Sequence, residues 1–131
     1  MAKRIFVVDD EQCIADTLVV ILRNSGFEAT AFYNAQTVLE QVELLCPELV
    51  ISDVMMPGMN GVEMAVLIRD RHPACKILLF SGQAATPELL EGVRRRGYDF
   101  ELLGKPVHPK ELLARAANVG DKSEVDLKRT A

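Results

Sequence analysis

Apolar residues along the chain alternate between short uninterrupted runs and longer segments in which they recur every three or four positions, the signatures of buried strands and of amphipathic helices. Ile5-Phe6-Val7-Val8 is the first run, aromatic and β-branched, and it stops at Asp9-Asp10-Glu11. Ile14, Leu18, Ile21 and Leu22 then recur at helical spacing up to Asn24-Ser25-Gly26, which predicts a helix from residue 12 to about 25. Phe27 to Tyr33 predicts a second strand. Asn34 caps a second helix that carries Val38, Val42 and Leu45 on one face and ends before Pro47, since the residue before proline is biased away from helix. The third run, Leu49 to Asp53, leads through Pro57-Gly58 to a third helix from Gly61, with Met64 and Ile68 inward and Leu67 a further inward candidate, until His72-Pro73. Lys76 to Phe80 predicts a fourth strand, ending at Ser81-Gly82. Thr86-Pro87-Glu88 pairs an N-cap with proline at the first helical position, and Gly97 ends that helix after Arg94-Arg95-Arg96, whose charges suit a helix C-terminus. Asp99 to Leu103 predicts the last strand, and His108-Pro109-Lys110-Glu111 opens a last helix with Leu112, Leu113 and Ala116 inward.

Five βα units in succession predict a single α/β domain built on a doubly wound parallel sheet, because crossovers between parallel strands need a helix and are right-handed. Strand order is not readable from periodicity. The domain is expected over residues 1–119, and residues 120–131, polar from Gly120 onward, as a disordered tail.

Composition narrows the function classes. With 15 Lys and Arg against 19 Asp and Glu, the net charge is −4, so no basic footprint for nucleic acid is present. No apolar stretch approaches the about 18 residues of a membrane span. Met1-Ala2-Lys3-Arg4 leads into an apolar run of only four residues, too short for a signal peptide. Cys13, Cys46 and Cys75 are odd in number and widely spaced, matching neither a disulfide framework nor a zinc spacing, and they point to a reducing, cytoplasmic compartment.

The candidate chemistry lies at strand ends. Asp9 and Asp10 follow the first strand, Asp53 the third and Ser81 the fourth, so parallel strands bring them to one edge, where ligands of open α/β sheets bind. Taken singly, each acid has a plainer reading, as a turn residue or a favourable charge at a helix N-terminus. Together, close carboxylates repel by roughly a few kcal/mol per pair at an effective dielectric near 20, which calls for a cation. Oxygen ligands without nearby histidine or cysteine favour Mg²⁺ over zinc. Such a cation lowers the cost of bringing an anionic phosphoryl group to Asp53. Lys105-Pro106 follows the fifth strand, from which its ammonium can reach the same edge.

The combination Val8-Asp9-Asp10-Glu11, Asp53-Val54-Met55-Met56-Pro57-Gly58-Met59-Asn60-Gly61, Leu79-Phe80-Ser81-Gly82 and Lys105-Pro106 closely resembles the receiver domain of bacterial two-component response regulators, over residues 3 to about 118 in that family's order and spacing. The resemblance implies a flavodoxin-like (βα)5 fold with sheet order 2-1-3-4-5. It implies Asp53 as phosphoacceptor, Asp10 as a direct Mg²⁺ ligand, Asp9 as a ligand through water, the Met55 backbone carbonyl as a further ligand, and Ser81 and Lys105 as holders of phosphoryl oxygens. A histidine kinase or phosphotransfer protein would be the donor. The chain would then be a switch that catalyses only its own phosphorylation and dephosphorylation, either standing alone and acting through an output partner or cut from a longer regulator. Two rivals are a non-phosphorylated interaction module with the same fold and, less favoured, a Mg²⁺-dependent phosphatase with an Asp nucleophile. The phosphatase family resembled carries Asp-x-Asp after its first strand, whereas Asp9 and Asp10 are adjacent.

The resemblance also places Met55 and Gln83 beside the path of attacking water. It leaves one departure: where receivers usually carry Tyr or Phe three residues before the lysine, this chain has Leu102. The segment from Gly97 to Lys105 is one residue longer than the common pattern, which leads to the expectation of a bulge and a displaced Phe100. Activation is expected to move Ser81 and the Gly82 to Thr86 loop, with coupling to the face formed by the fourth helix, fifth strand and fifth helix that is weak or uses a different element.

Overall fold

The computed structural model of the protein describes residues 3–82 and 86–119. The expected polar tail and Gln83 lie outside these. The elements are β1 (Arg4–Val8), α1 (Gln12–Asn24), β2 (Glu28–Phe32), α2 (Ala35–Leu44), β3 (Leu49–Asp53), α3 (Gly61–Arg71), β4 (Lys76–Ser81), α4 (Thr86–Arg94), β5 (Glu101–Gly104) and α5 (Pro109–Val119).

All strand pairs are parallel, and the sheet order is β2-β1-β3-β4-β5. The strands read as continuous apolar runs because both sheet faces are covered, and the period of two sends alternate residues to opposite layers. Phe6, Val8, Val50, Ile77 and Leu79 join the core on one face with Val38 and Val42 of α2, Met64 and Ile68 of α3 and Leu90 of α4. Ile5, Val7, Leu49, Ile51, Leu78 and Phe80 pack on the other with Ala15, Leu18 and Leu22 of α1 and Leu112 and Ala116 of α5.

Local signals set the helix starts. The Asn34 side chain accepts a hydrogen bond from the Thr37 N–H, as expected of an N-cap. Asn60 and Glu63 form a reciprocal capping box at α3. At the end of α4 the chain turns through Gly97 at φ +97°, a left-handed conformation that glycine adopts without strain.

Two apolar expectations are corrected. Leu45 is 52% exposed, because α2 stops at Leu44 and Leu45 is extended, at φ −155° and ψ 92°, off the helical face. Leu67 is 40% exposed, facing the groove between α2 and α3 while Met64 and Ile68 take the inward stripe.

The expected bulge in the last strand is also absent. Leu78 to Ser81 pair one to one with Glu101 to Gly104, so the additional residue is absorbed in the connection between Gly97 and β5. Phe100 lies just before β5, at the end opposite the one that carries the acids. It is buried there beneath the Arg69 guanidinium, 5.1 Å from its ring, and stacked on Tyr98, whose hydroxyl donates to Asp70.

Candidate functional site

Three strands end together. Because order reverses after β2, β1 and β3 lie side by side at the point where ligands of such sheets bind. Asp9 directly follows β1 and Asp53 is the last residue of β3. Phe80 pairs with Asp53, so Ser81 sits one residue beyond it on β4. The Lys105 N–H donates to the Ser81 carbonyl at 3.1 Å, which draws the chain after β5 over the same edge. The Lys105-Pro106 peptide is cis.

The side chains converge as the strand ends predict. Lys105 Nζ donates to Asp53 Oδ2 at 3.1 Å and lies 3.6 Å from Asp9 Oδ2, with the Phe80 ring centred 5.2 Å away. Asp9, Asp53 and Ser81 are buried, whereas Asp10 is exposed. Carboxylate oxygens of Asp9, Asp10 and Asp53 come within 4.8 Å of one another. Met55, two residues beyond Asp53, is 43% exposed at the rim. Leu102 pairs with Leu79 and is 36% exposed.

The electrostatics are those of a crowded anionic site with one cation. Burial pulls the Lys105 ammonium down, but its hydrogen bond to Asp53 and the charges of Asp53, Asp9 and Glu11 hold it above the usual lysine range. For Asp9, burial dominates and pushes the carboxyl from 3.8 to about 6; the Glu11 N–H pulls it down, the Asp53 charge pushes it up and Lys105 pulls it down. One Asp9 oxygen accepts from the Glu11 N–H at 2.9 Å. The other, Oδ2, is buried without a hydrogen-bond partner. A buried carboxylate oxygen in want of a partner, beside two further carboxylates, fits a hard divalent cation such as Mg²⁺.

Asp9 therefore couples stability to pH. Its folded-state value is raised, so the contribution is fully present below about pH 4 and is lost as pH rises through about 6, on the order of 1–3 kcal/mol. Without divalent metal, the melting temperature of the wild type relative to Asp9→Asn is expected to fall between pH 5 and 7. A pH-independent difference would mean that Asp9 is already ionised at pH 5.

Gly61 has a role beyond opening α3. A Cβ there would collide with the Asp53 carbonyl oxygen and come 3.0 Å from Asp53 C and Val54 Cα. The Gly61 N–H donates to the Val54 carbonyl at 2.7 Å, closing the β3–α3 loop onto the strand end. The glycine in Met59-Asn60-Gly61 is visible in sequence, but its contact with Asp53 is tertiary.

Comparison with known proteins agrees with this geometry. The family model described as the response regulator receiver domain matches residues 5–117. The DNA-binding response regulator MtrA of Mycolicibacterium smegmatis is 34% identical over 115 residues, covering 88% of this chain and 49% of that protein. The transcriptional regulatory protein CreB of Escherichia coli is 32% identical over 111 residues, covering 85% of this chain and 48% of that one. The chain thus spans about half the length of these relatives. Among solved structures, a CheY-like response regulator receiver domain protein from Methanospirillum hungatei superposes with a TM-score of 0.85 at 28% identity, covering 96% of this chain and 99% of that one.

Proposed function

Because the chain belongs to the response regulator receiver domains of two-component systems, we propose that it is a phospho-accepting switch in which the Asp53 carboxylate takes a phosphoryl group from a histidine kinase or phosphotransfer protein. The observation that carries this reading is the Lys105 ammonium held between Asp53 and Asp9 across three strand ends. An Asp53 oxygen attacks phosphorus in line, the phosphorus–nitrogen bond of the donor's phosphohistidine breaks, and an acyl phosphate forms. Lys105 and the Ser81 hydroxyl take the phosphoryl oxygens. For a loose transition state such positioning and charge neutralisation supply most of the rate. Water later attacks phosphorus and releases phosphate, restoring the carboxylate.

Asp10 directly, Asp9 through water, Asp53 and the Met55 carbonyl would hold Mg²⁺, which when bound neutralises phosphoryl charge. Few protein oxygens serve that shell, so binding is expected at millimolar strength, weakened more by Asp10→Ala than by Asp9→Ala. Equal losses in a calorimetric titration would contradict the direct and water-mediated roles. Residues 1–119 form the switch in this reading, and a cytoplasmic setting suits it. Among the described residues no helix is long and apolar enough to cross a membrane. With net charge −4, we assign the domain neither nucleic acid nor membrane as partner; its output partner would be another protein or a further part of a longer regulator.

Incubation with acetyl phosphate and Mg²⁺, followed on a phosphate-affinity gel, tests the proposal. A stable but hydrolysable shift supports it. No shift would favour the interaction module, and multiple-turnover phosphate release the phosphatase.

Met55 is expected to limit the lifetime of the phosphorylated state. Its exposed apolar side chain stands at the rim two residues after Asp53, where it hinders water and offers no hydrogen bond to orient it. Met55→Asn and Met55→Lys should each change the decay rate several-fold with Mg²⁺ binding unchanged. Identical decay in both variants and the wild type would remove Met55 from the water's path. Gln83, expected to share this role, lies outside the described residues.

A further inference from the structure

Ser52 interrupts the apolar run of β3 and is fully buried, paired with Val8 of β1 on one side and Leu79 of β4 on the other. A hydroxyl out of water's reach costs free energy unless it is hydrogen-bonded. The Ser52 hydroxyl donates to the carbonyl of the next residue, Asp53, at 2.9 Å. That carbonyl lies where the ladder to β1 gives out, because Val8, the partner of Ser52, is the last residue of β1 and Asp53 has no counterpart there. The same peptide unit is held at its other end by β4, since the Val54 N–H donates to the Phe80 carbonyl at 3.1 Å. Gly61 closes over the Asp53 carbonyl oxygen, leaving no room for a Cβ.

We propose that Ser52 is a positioning residue for the phosphoacceptor, fixing the Asp53–Val54 peptide so that the carboxylate keeps its aim through phosphoryl transfer. The inference rests on the phospho-accepting reading of Asp53. Side chains alternate along a strand, so Ser52 lies on the sheet face of Val50 and its hydroxyl acts through the backbone without touching a reacting atom. Before transfer, Lys105 holds the carboxylate at its tip, 3.1 Å from Oδ2. As Lys105 turns to the phosphoryl oxygens that hold is shared, and the direction of the carboxylate comes to depend on the backbone that carries it.

With its N–H tied to Phe80 and its C=O to Ser52, the last peptide of β3 is fixed at both ends. Without the hydroxyl only the Phe80 bond remains. The plane can then rock about that bond, and a buried carbonyl left without a partner favours the motion. Rocking changes ψ of Asp53, which swings the carboxylate relative to Lys105 and to the line of attack. Transfer requires reacting atoms in near-contact and aligned, so a small swing slows it without loosening the hold on the donor.

The test compares wild type with Ser52→Ala, which removes the donor, and with Ser52→Cys, which nearly keeps the volume but offers only a weak donor. Two quantities are read on the whole chain at a temperature where all three are folded. One is the phosphorylation rate against acetyl phosphate concentration with Mg²⁺; the other is the carbon-13 resonance of the Asp53 carboxyl in the unphosphorylated, metal-free chain. Both variants should lower the maximal rate about tenfold, less than the roughly hundredfold cost of an ångström's misplacement, with the half-saturating donor concentration unchanged. Both should also shift the Asp53 resonance while those of Asp16 and Asp70 stay in place. A wild-type maximal rate in either variant, a loss that lies in the half-saturating concentration instead, or an unmoved Asp53 resonance would each overturn the proposal. A wild type that takes no phosphoryl group would overturn the phospho-accepting reading, and the resonance alone would then decide whether Ser52 positions Asp53.

Discussion

Asp53→Asn is expected to abolish phosphoryl transfer while leaving the fold intact. The amide is nearly isosteric with the carboxylate but cannot form the acyl phosphate. Its effect on stability is the balance of two opposed electrostatic changes. The substitution removes the partner that Lys105 holds at 3.1 Å, and it also removes the charge that helps push up Asp9. Each close pair is worth roughly a few kcal/mol at an effective dielectric near 20, and Lys105 keeps Asp9 at 3.6 Å. Melting without Mg²⁺ should therefore be unchanged or slightly raised. A fall of more than several degrees would make Asp53 chiefly a structural residue.

Gly61→Ala should be the most damaging small substitution at the site. The atoms that its Cβ would meet are the Asp53 carbonyl and the Val54 Cα, all backbone, so no flexible side-chain end can yield. Either α3 retreats, breaking the 2.7 Å hydrogen bond from Gly61 to Val54, or the end of β3 moves and carries Asp53 with it. Overpacking of this kind costs about 3 kcal/mol, which for a domain of this size is roughly 10 °C of melting temperature. Phosphorylation of the folded fraction should slow as well. An alanine variant that melts and phosphorylates like the wild type would show that the loop has room the structure does not reveal.

The parts of this fold legible in the sequence are those encoded locally. Ile5 to Val8, Leu49 to Asp53 and Lys76 to Phe80 stand out because strands buried on both faces must be apolar throughout, and Asp9, Asp53 and Ser81 mark where the runs stop. Leu45 and Leu67 misled because a leucine beside an inward stripe looks inward until the helix end and the neighbouring helix are placed. The longer segment before Lys105 suggests a bulge in β5, which the paired strands lack. The connection absorbed the additional residue because a bulge in β5 would have broken its ladder with β4. Strand order and the closeness of Gly61 to Asp53 are tertiary facts, and periodicity carries no information about them. The Asn60-x-x-Glu63 box differs in kind, because its signal is local and present in the sequence.

Leu102 and Phe100 together bear on how the switch is transmitted. Leu102 lacks the ring that receivers usually carry there, and Phe100 is held between Arg69 and Tyr98 at the far end of β5. Coupling from Ser81 to α4, β5 and α5 that is weak, or that uses a different element, remains the expectation; residues 83–85 lie outside those described.

Whether the Asp53 carboxylate itself carries the phosphoryl group decides the function. The direct measurement is to phosphorylate the chain with acetyl phosphate, trap the acyl phosphate by borohydride reduction, and locate the reduced residue by peptide mass spectrometry, with and without Mg²⁺. Conversion to homoserine is expected at position 53 alone, dependent on Mg²⁺ and lost in Lys105→Ala. Reduction at Asp9, Asp10 or a remote residue, or labelling of Asp53 that is indifferent to Mg²⁺, would contradict it.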